Sequence, residues 1–223
     1  MRIFRCLCLL TAFLLLTVPA YADLVTFNSL AAFTAAAPGL PVETFESGLV
    51  ATSSITNCAG PLSGATASAC FPLGGLLPGV VYSSTSPDGI MGLLGGSGVV
   101  GNTTKVLGPA LIASTMNLTF TSATAVGFDV FPGLAPGNIL ISIFSSTDTA
   151  LGSFTIPGAS GGSFFGVVST PDLIGRVNIA SQAVSPGELI DNLRFGTTTT
   201  TVPEPSSLLL LAAGSALLFR RRK

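Results

Sequence analysis

Residues 116–130 read MNLTFTSATAVGFDV. In MNLTF, at 116–120, Met, Leu and Phe alternate with Asn and Thr, and in VGFDV, at 126–130, the apolar residues again occupy every second position. The segment ILISI at 139–143 has the same pattern. A period of two residues is typical of β strands that bury one face and expose the other. This part of the chain therefore predicts half-buried strands.

Turn sequences separate the alternating segments at short intervals, and each contains proline and glycine. They are Ser86-Pro87-Asp88-Gly89, Phe131-Pro132-Gly133, Ala135-Pro136-Gly137-Asn138, Ile156-Pro157-Gly158 and Ser185-Pro186-Gly187. Short strands with such turns are typical of antiparallel sandwiches and jelly rolls. We therefore predict an all-β sandwich or jelly roll over residues 23–196.

Two features depart from this strand pattern. A short helix is predicted at 30–37, with Asn28 or Ser29 as its N-cap and with Leu30 and Phe33 on its buried side. The glycine-rich stretches 58–79 and 93–101 show little periodicity, and we expect them to be long loops.

The composition argues against most enzymes and against a nucleic-acid partner. The chain has no His and no Trp, which excludes catalytic triads and zinc sites that depend on His. Between residues 23 and 204 three basic residues stand against ten acidic ones, a net charge of −7, so a basic surface for nucleic acid is absent. The acids of the domain are scattered, whereas a glycosidase needs two facing carboxylates. We predict no catalytic residues, and a hydrolase is a distant alternative.

The N-terminus has the three parts of a secretory signal peptide. Arg2 and Arg5 are followed by an apolar run at 7–18 and by Ala20-Tyr21-Ala22, an A-x-A cleavage site. Residues 1–22 are therefore predicted to direct Sec export and to be removed. An uncleaved N-terminal anchor is the alternative.

Two cysteines remain after this segment, Cys58 and Cys70. In an exported protein a pair within one loop predicts a disulfide, worth roughly 3 kcal/mol in the chain-entropy model. Free thiols are the alternative.

The C-terminus is also divided into distinct parts. A threonine-rich linker at 197–202 leads into Pro203-Glu204-Pro205, an apolar segment at 206–219 and a basic end. The basic residues are Arg220, Arg221, Arg222 and Lys223. As a helix the apolar segment spans about 21 Å, short of the ~30 Å hydrocarbon core, and snorkelling basic side chains make up part of the difference. A transmembrane helix with its basic end in the cytoplasm is predicted.

This order resembles the PEP-CTERM sorting signal of Gram-negative bacteria. The resemblance implies an inner-membrane-anchored precursor that an exosortase recognises and cleaves at Pro203-Glu204-Pro205. Glu204 is then a recognition residue, and the product belongs to the cell surface, a biofilm exopolysaccharide or the medium. A plain tail anchor is the alternative.

Two segments of the domain resemble jelly-roll domains related to carbohydrate-binding modules. They are Thr26-Phe27 through Thr44-Phe45-Glu46, and Ile190 to Gly196. This resemblance implies that an early Glu and a late Asp, here Glu46 and Asp191, hold a structural calcium ion.

The pattern around Asp191 bears on the same point. Alternation places Asp191 on one face with Leu189, Leu193 and Phe195, and an unpaired carboxylate on an apolar face is costly. Arg176 or Arg194, backbone amides, and Ca²⁺ are the possible partners.

The sequence thus favours an exported, non-catalytic protein of the surface or matrix. Carbohydrate binding within the exopolysaccharide is the alternative. It is weakened because the domain has no Trp and only one Tyr, Tyr82, for an aromatic sugar platform.

Overall fold

The computed structural model describes residues 23–198, apart from 99, 112, 134, 160 and 183–186. The predicted signal peptide and the predicted sorting signal lie outside the described residues. Within the described part of the chain, no helix is long and apolar enough to cross a membrane.

The described chain consists of strands and one short helix. In order, they are β1 (Asp23–Phe27), α1 (Leu30–Ala36), β2 (Val42–Glu43), β3 (Ile55–Ala59), β4 (Val80–Ser84), β5 (Ile90–Leu94), β6 (Val106–Pro109), β7 (Met116–Phe120), β8 (Ala125–Pro132), β9 (Gly137–Ser145), β10 (Ala150–Gly158), β11 (Ser163–Thr170), β12 (Ile174–Ser181) and β13 (Glu188–Gly196).

These strands form two antiparallel sheets. The larger has the order β1-β11-β8-β13-β6-β5-β3, with β2 also paired to β13, and the smaller has the order β10-β9-β12-β7-β4. The two sheets pack face to face around one main apolar core. The predicted all-β sandwich is confirmed.

The alternating segments of the sequence build the centre of this core. Residues 116–120 form β7, residues 126–130 lie in β8 and residues 139–143 lie in β9. Their apolar positions are buried between the sheets, and Ile139, Ile141 and Ile143 are fully inaccessible. The period of two therefore identified these strands correctly.

Two predicted turns are instead strand ends. β8 runs through Pro132, and β10 runs through Pro157 to Gly158. Strand β10 is an edge of the smaller sheet, where a proline without an N–H removes no bond to a further strand. Pro132 is the last residue of β8, so its ring also lies where the strand ends.

Ser29 is the N-cap of helix α1, and its Oγ accepts a hydrogen bond from the Ala32 amide, so the predicted cap is confirmed. Phe33 is buried as predicted, whereas Leu30 is 39% exposed and does not share that side. Phe33 and Ala37, four residues apart, pack on the larger sheet.

The disulfide between Cys58 and Cys70 is present, and it ties the intervening loop to β3. The glycine-rich stretches are not loops throughout. Cys58 lies in β3, and Leu93 and Leu94 lie in β5, which pairs with β3 and β6.

Candidate functional site

The predicted metal residue Asp191 lies in β13 opposite Asp129 of β8 and is 1% exposed. One of its carboxylate oxygens, Oδ1, accepts the Asn192 amide at 2.6 Å, and Oδ2 accepts the Thr104 hydroxyl. The Asn192 side-chain nitrogen donates to Asp129 Oδ2 at 2.9 Å and to Asp191 Oδ2 at 3.3 Å. Hydrogen-bond donors of the chain therefore satisfy the Asp191 carboxylate.

Asp191 shares its face with Leu189 as predicted, but Leu193 and Phe195 do not lie on that face. A register shift between Asp191 and Arg194 adds a residue to β13, and Asn192 adopts a positive φ of 51° there. Leu193 and Phe195 consequently join the core between the sheets, while Asp191 stays on the side of Leu189. A β-bulge reverses the alternation of inward and outward side chains beyond it, and simple periodicity does not reveal one.

Burial raises the pKa of Asp191 to about 6, and this is the largest influence on it. The hydrogen bonds from Thr104 and Asn192 lower the pKa, whereas the nearby carboxylates of Asp129 and Glu46 raise it. The region thus concentrates negative charge around one buried acid.

Glu46, the second predicted metal residue, lies in the same region. Its Oε1 accepts the Lys105 amide at 2.8 Å, so Glu46 and Asp191 accept hydrogen bonds from the consecutive residues Lys105 and Thr104. The Lys105 Nζ donates to the carbonyl oxygens of Glu46 at 2.8 Å and Gly48 at 3.0 Å. It lies 3.8 Å from Glu46 Oε2.

The two arginines considered as partners of Asp191 have other roles. Arg176 pairs with Asp148, and Arg194 donates to the backbone oxygen of Asn192. Of the three kinds of partner predicted for Asp191, the structure uses a backbone amide, and it adds the Thr104 hydroxyl.

Calcium binds six to eight oxygens at 2.3–2.6 Å. Among the described residues no group of three or more His, Cys, Asp or Glu side chains is arranged to hold a metal ion. The carboxylate oxygens of Glu46 and Asp191 face hydrogen-bond donors of the chain itself. As arranged, these oxygens do not form the shell that calcium needs.

A second candidate site is the outer face of the smaller sheet. Ser153, Ser142, Asn178, Asn117 and Ser83 stand opposite one another on β10, β9, β12, β7 and β4. We call these five residues the polar row. The Ser142 and Ser153 hydroxyls are 3.0 Å apart, and Asn178 Nδ2 donates to Asn117 Oδ1 at 2.9 Å. The row carries both donors and acceptors on the face of the sheet opposite the core.

Arg176 lies beside the polar row. Its guanidinium carbon is 3.7 Å from the centroid of the Phe144 ring. Its Nε donates a hydrogen bond to Asp148 Oδ1 at 2.9 Å, and its Nη1 donates to Asn117 Oδ1 at 3.2 Å. The arginine thus covers a face of the Phe144 ring. Tyr82 is fully buried, with its ring packed on Phe45, so it offers no sugar platform.

A buried acid that sequence reasoning treated as one of the scattered carboxylates is Glu188. It is 1% exposed, and its Oε2 accepts the Ser181 amide at 3.2 Å while Oε1 has no hydrogen-bond partner among the described residues. Burial raises its pKa to about 8. The apolar residues Leu189 and Ile190 that follow it gave the only sequence indication of this burial.

Comparison with known families identifies the other end of the chain. Residues 201–223 match the family described as the PEP-CTERM protein-sorting motif. The tail carries a PEP-CTERM sorting motif. The match includes Pro203, Glu204 and Pro205 and the basic cluster from Arg220 to Lys223, and it lies outside the described residues. No curated protein matches the chain.

The domain is structurally similar to β-sandwich carbohydrate-binding modules. A mutant of a family 29 carbohydrate-binding module is 16% identical, with a TM-score of 0.36 and coverage of 65% of this chain and 94% of that one. A second mutant of a family 29 module is 15% identical, with a TM-score of 0.38 and coverage of 65% and 93%. The enzymatically active domain of a bacteriophage tailspike protein is 15% identical, with a TM-score of 0.28 and coverage of 52% and 17%. These TM-scores all lie below 0.5, so the likeness is distant.

Proposed function

We propose that this chain is the precursor of an exported, non-catalytic protein of the cell surface or extracellular matrix. An exosortase recognises Pro203-Glu204-Pro205 and cleaves there, which frees the β sandwich from the inner membrane. The observation that carries this proposal is the sorting motif at residues 201–223.

The chemistry of the domain agrees with export. The disulfide between Cys58 and Cys70 is of a kind that persists in oxidising compartments and is rare in the cytosol. Sec-dependent export of a Gram-negative precursor through residues 1–22 is part of the proposal. The domain would then fold outside the cytoplasm, while the basic residues 220–223 hold the tail at the cytoplasmic side of the inner membrane.

The experiment is expression of the full chain in a host with and without its exosortase. With the enzyme, we expect a processed product at the surface or in the medium, whose C-terminus by mass spectrometry lies at or near the Pro-Glu-Pro motif. Without it, we expect the precursor to remain in the inner-membrane fraction. Identical fractionation in the two hosts contradicts the proposal.

A second candidate function is binding of a polysaccharide in the surrounding matrix. The polar row favours it, because hydroxyl and amide side chains exchange hydrogen bonds with sugar hydroxyls. Five neighbouring strands span about 19 Å from the first strand to the last, which is long enough to contact an extended oligosaccharide. Arg176 adds a fixed cation at the side of the row.

The nature of this face predicts weak, polar binding. Affinity for sugars commonly depends on exposed aromatic rings, and here Arg176 covers the ring of Phe144 while Tyr82 is buried. A glycan array on the processed protein tests the candidate. Asn178→Ala should abolish binding, whereas Thr155→Ala, an exposed change on β10 outside the row, should preserve it. Binding unaffected by Asn178→Ala excludes the polar row as the site.

A further inference from the structure

Three oxygen atoms converge on the ammonium group of Lys105. They are the backbone oxygens of Glu46 and Gly48 and the carboxylate atom Oε2 of Glu46, and we call them the oxygen cradle. Their distances to Nζ are 2.8, 3.0 and 3.8 Å. The Lys105 side chain is only 20% exposed.

The backbone fixes two of these oxygens in place. Phe45 has a φ of 57°, and the Gly48 amide donates to the Phe45 carbonyl at 2.9 Å, which closes a tight turn. A Cβ added to Gly48 would lie 2.5 Å from Leu93 Cδ2 and 2.9 Å from the Phe45 oxygen, so the turn is also packed closely. Glu43 also holds Phe45, the first residue of this turn, because Glu43 Oε1 accepts a hydrogen bond from the Phe45 amide at 2.9 Å.

Lys105 is bound to this turn at two points. Its amide donates to Glu46 Oε1 at 2.8 Å, and its ammonium group occupies the oxygen cradle. Carbonyl and carboxylate oxygens are the ligands that hard cations prefer. In this chain the cation they bind is the side chain of Lys105.

We propose that Lys105 is the built-in cation of the oxygen cradle and that the domain is held together here without calcium. The resemblance to calcium-binding jelly rolls implies an ion at Glu46 and Asp191, whereas the hydrogen bonds that these two residues make favour a site without one. Glu46 faces Lys105, and Asp191 faces Thr104 and Asn192. Removal of the ammonium group leaves two carbonyl oxygens and a carboxylate in an acidic region without their cation. We expect this set to gain affinity for a divalent cation, with water supplying the remaining ligands.

The test compares the full-length protein with Lys105→Met, which keeps much of the aliphatic stem, and with Lys105→Arg, which keeps the charge. Thermal unfolding is followed in EDTA, in CaCl₂ and in MgCl₂, and calcium binding is measured by calorimetry. For the wild type and for Lys105→Arg, we expect the melting temperature of each protein in CaCl₂ to equal its own melting temperature in EDTA. Lys105→Met should melt at a lower temperature in EDTA and recover most of that loss in CaCl₂.

Two results overturn the proposal. One is a wild-type protein that binds calcium and melts at a higher temperature with it, which would mean that calcium occupies this site. The other is a folded Lys105→Met protein whose melting temperature does not change with calcium, which would mean that the oxygen cradle does not bind cations. If Lys105→Met does not fold in EDTA, the wild-type measurement still shows whether the native protein binds calcium. Whether the variant folds in CaCl₂ then shows whether the empty cradle binds a cation.

Discussion

Asp129 and Asp191 lie directly opposite each other on neighbouring strands, and the side-chain amide of Asn192 donates a hydrogen bond to both carboxylates. Like charges in such a cross-strand pair destabilise a sheet. The side-chain amide of Asn192 offsets this repulsion. The backbone of Asn192 has a positive φ of 51° and forms the bulge after which Leu193 points into the core.

Replacement of Asn192 should therefore weaken the domain in two separable ways. Asn192→Gly tolerates the positive φ but loses the bridging amide and gives the unfolded chain more freedom, for which we expect about 1–2 kcal/mol of lost unfolding free energy. Asn192→Ala loses the amide and strains the backbone, and it should be less stable than the glycine variant. Urea unfolding measures both. Equal stability of all three proteins would show that the bridge contributes nothing.

Glu188 should make the domain less stable as the pH rises. Its pKa is about 8 in the folded protein and 4.5 in a freely solvated chain, so between these values the folded state keeps a proton that the unfolded state has released. Unfolding then releases a proton, and stability falls as pH rises from about 4.5 to about 8, above which the dependence ends. Asp191, with its pKa of about 6, adds a loss of the same sign at lower pH.

The variant Glu188→Gln removes this ionisation and retains a side-chain oxygen for the Ser181 amide. We expect it to be at least about 2 kcal/mol more stable than the wild type at pH 9 and to lose most of the decline above pH 6. Asp172→Asn, an exposed change, should keep the wild-type profile. Denaturant midpoints across this pH range provide the measurement, and an unaltered slope in Glu188→Gln would refute the assignment.

Two glycines on the larger sheet make room for the ring of Phe33. A Cβ at Gly166 would lie 2.6 Å from Phe33 Cδ2, and one at Gly127 would lie 2.7 Å from Phe33 Cε1. Gly166→Ala should displace α1 and cost about 1–3 kcal/mol, as overpacking does.

Gly92 is the matched control, since the nearest atom that its added Cβ would meet among the described residues is Ala110 Cα at 3.6 Å. Calorimetric melting of Gly92→Ala should resemble that of the wild type. Equal melting temperatures for Gly166→Ala and Gly92→Ala would mean that the ring of Phe33 is not confined.

The sequence predicted those parts of the fold whose pattern is local. Strands β7, β8 and β9 follow from their alternation, and Ser29 follows from the preference of helices for a capping hydroxyl. The disulfide followed from cysteine count and predicted export. Each of these depends on a few adjacent residues or on composition.

Features that depend on distant partners were not predictable in this way. Strands β3 and β5 lie partly in glycine-rich sequence and are stabilised by pairing across the sheet, so their own periodicity is weak. The bulge at Asn192 turns Leu193 and Phe195 away from the face of Asp191 without interrupting the apolar pattern of the sequence. The ammonium group of Lys105 donates a hydrogen bond to the backbone oxygen of Glu46, 59 positions earlier, and no local sequence motif predicts that contact.

The candidate sites show the same division. The sequence indicated the sorting motif fully, because its order of Pro-Glu-Pro, apolar segment and basic end is linear. It placed Glu46 and Asp191 in one region only through resemblance. The polar row became visible only when the strand register aligned five separate segments.

The central claim is that the tail directs processing and release by an exosortase. Glu204 is its most direct test, because it stands between two prolines of fixed φ and is the one charged residue of the Pro-Glu-Pro sequence. Membrane and medium fractions are compared for the wild type, Glu204→Ala and the linker control Thr200→Ala in a host with the exosortase. We expect the wild type and Thr200→Ala to be processed and released, and Glu204→Ala to remain in the inner membrane at precursor size. Normal release of Glu204→Ala would contradict the claim.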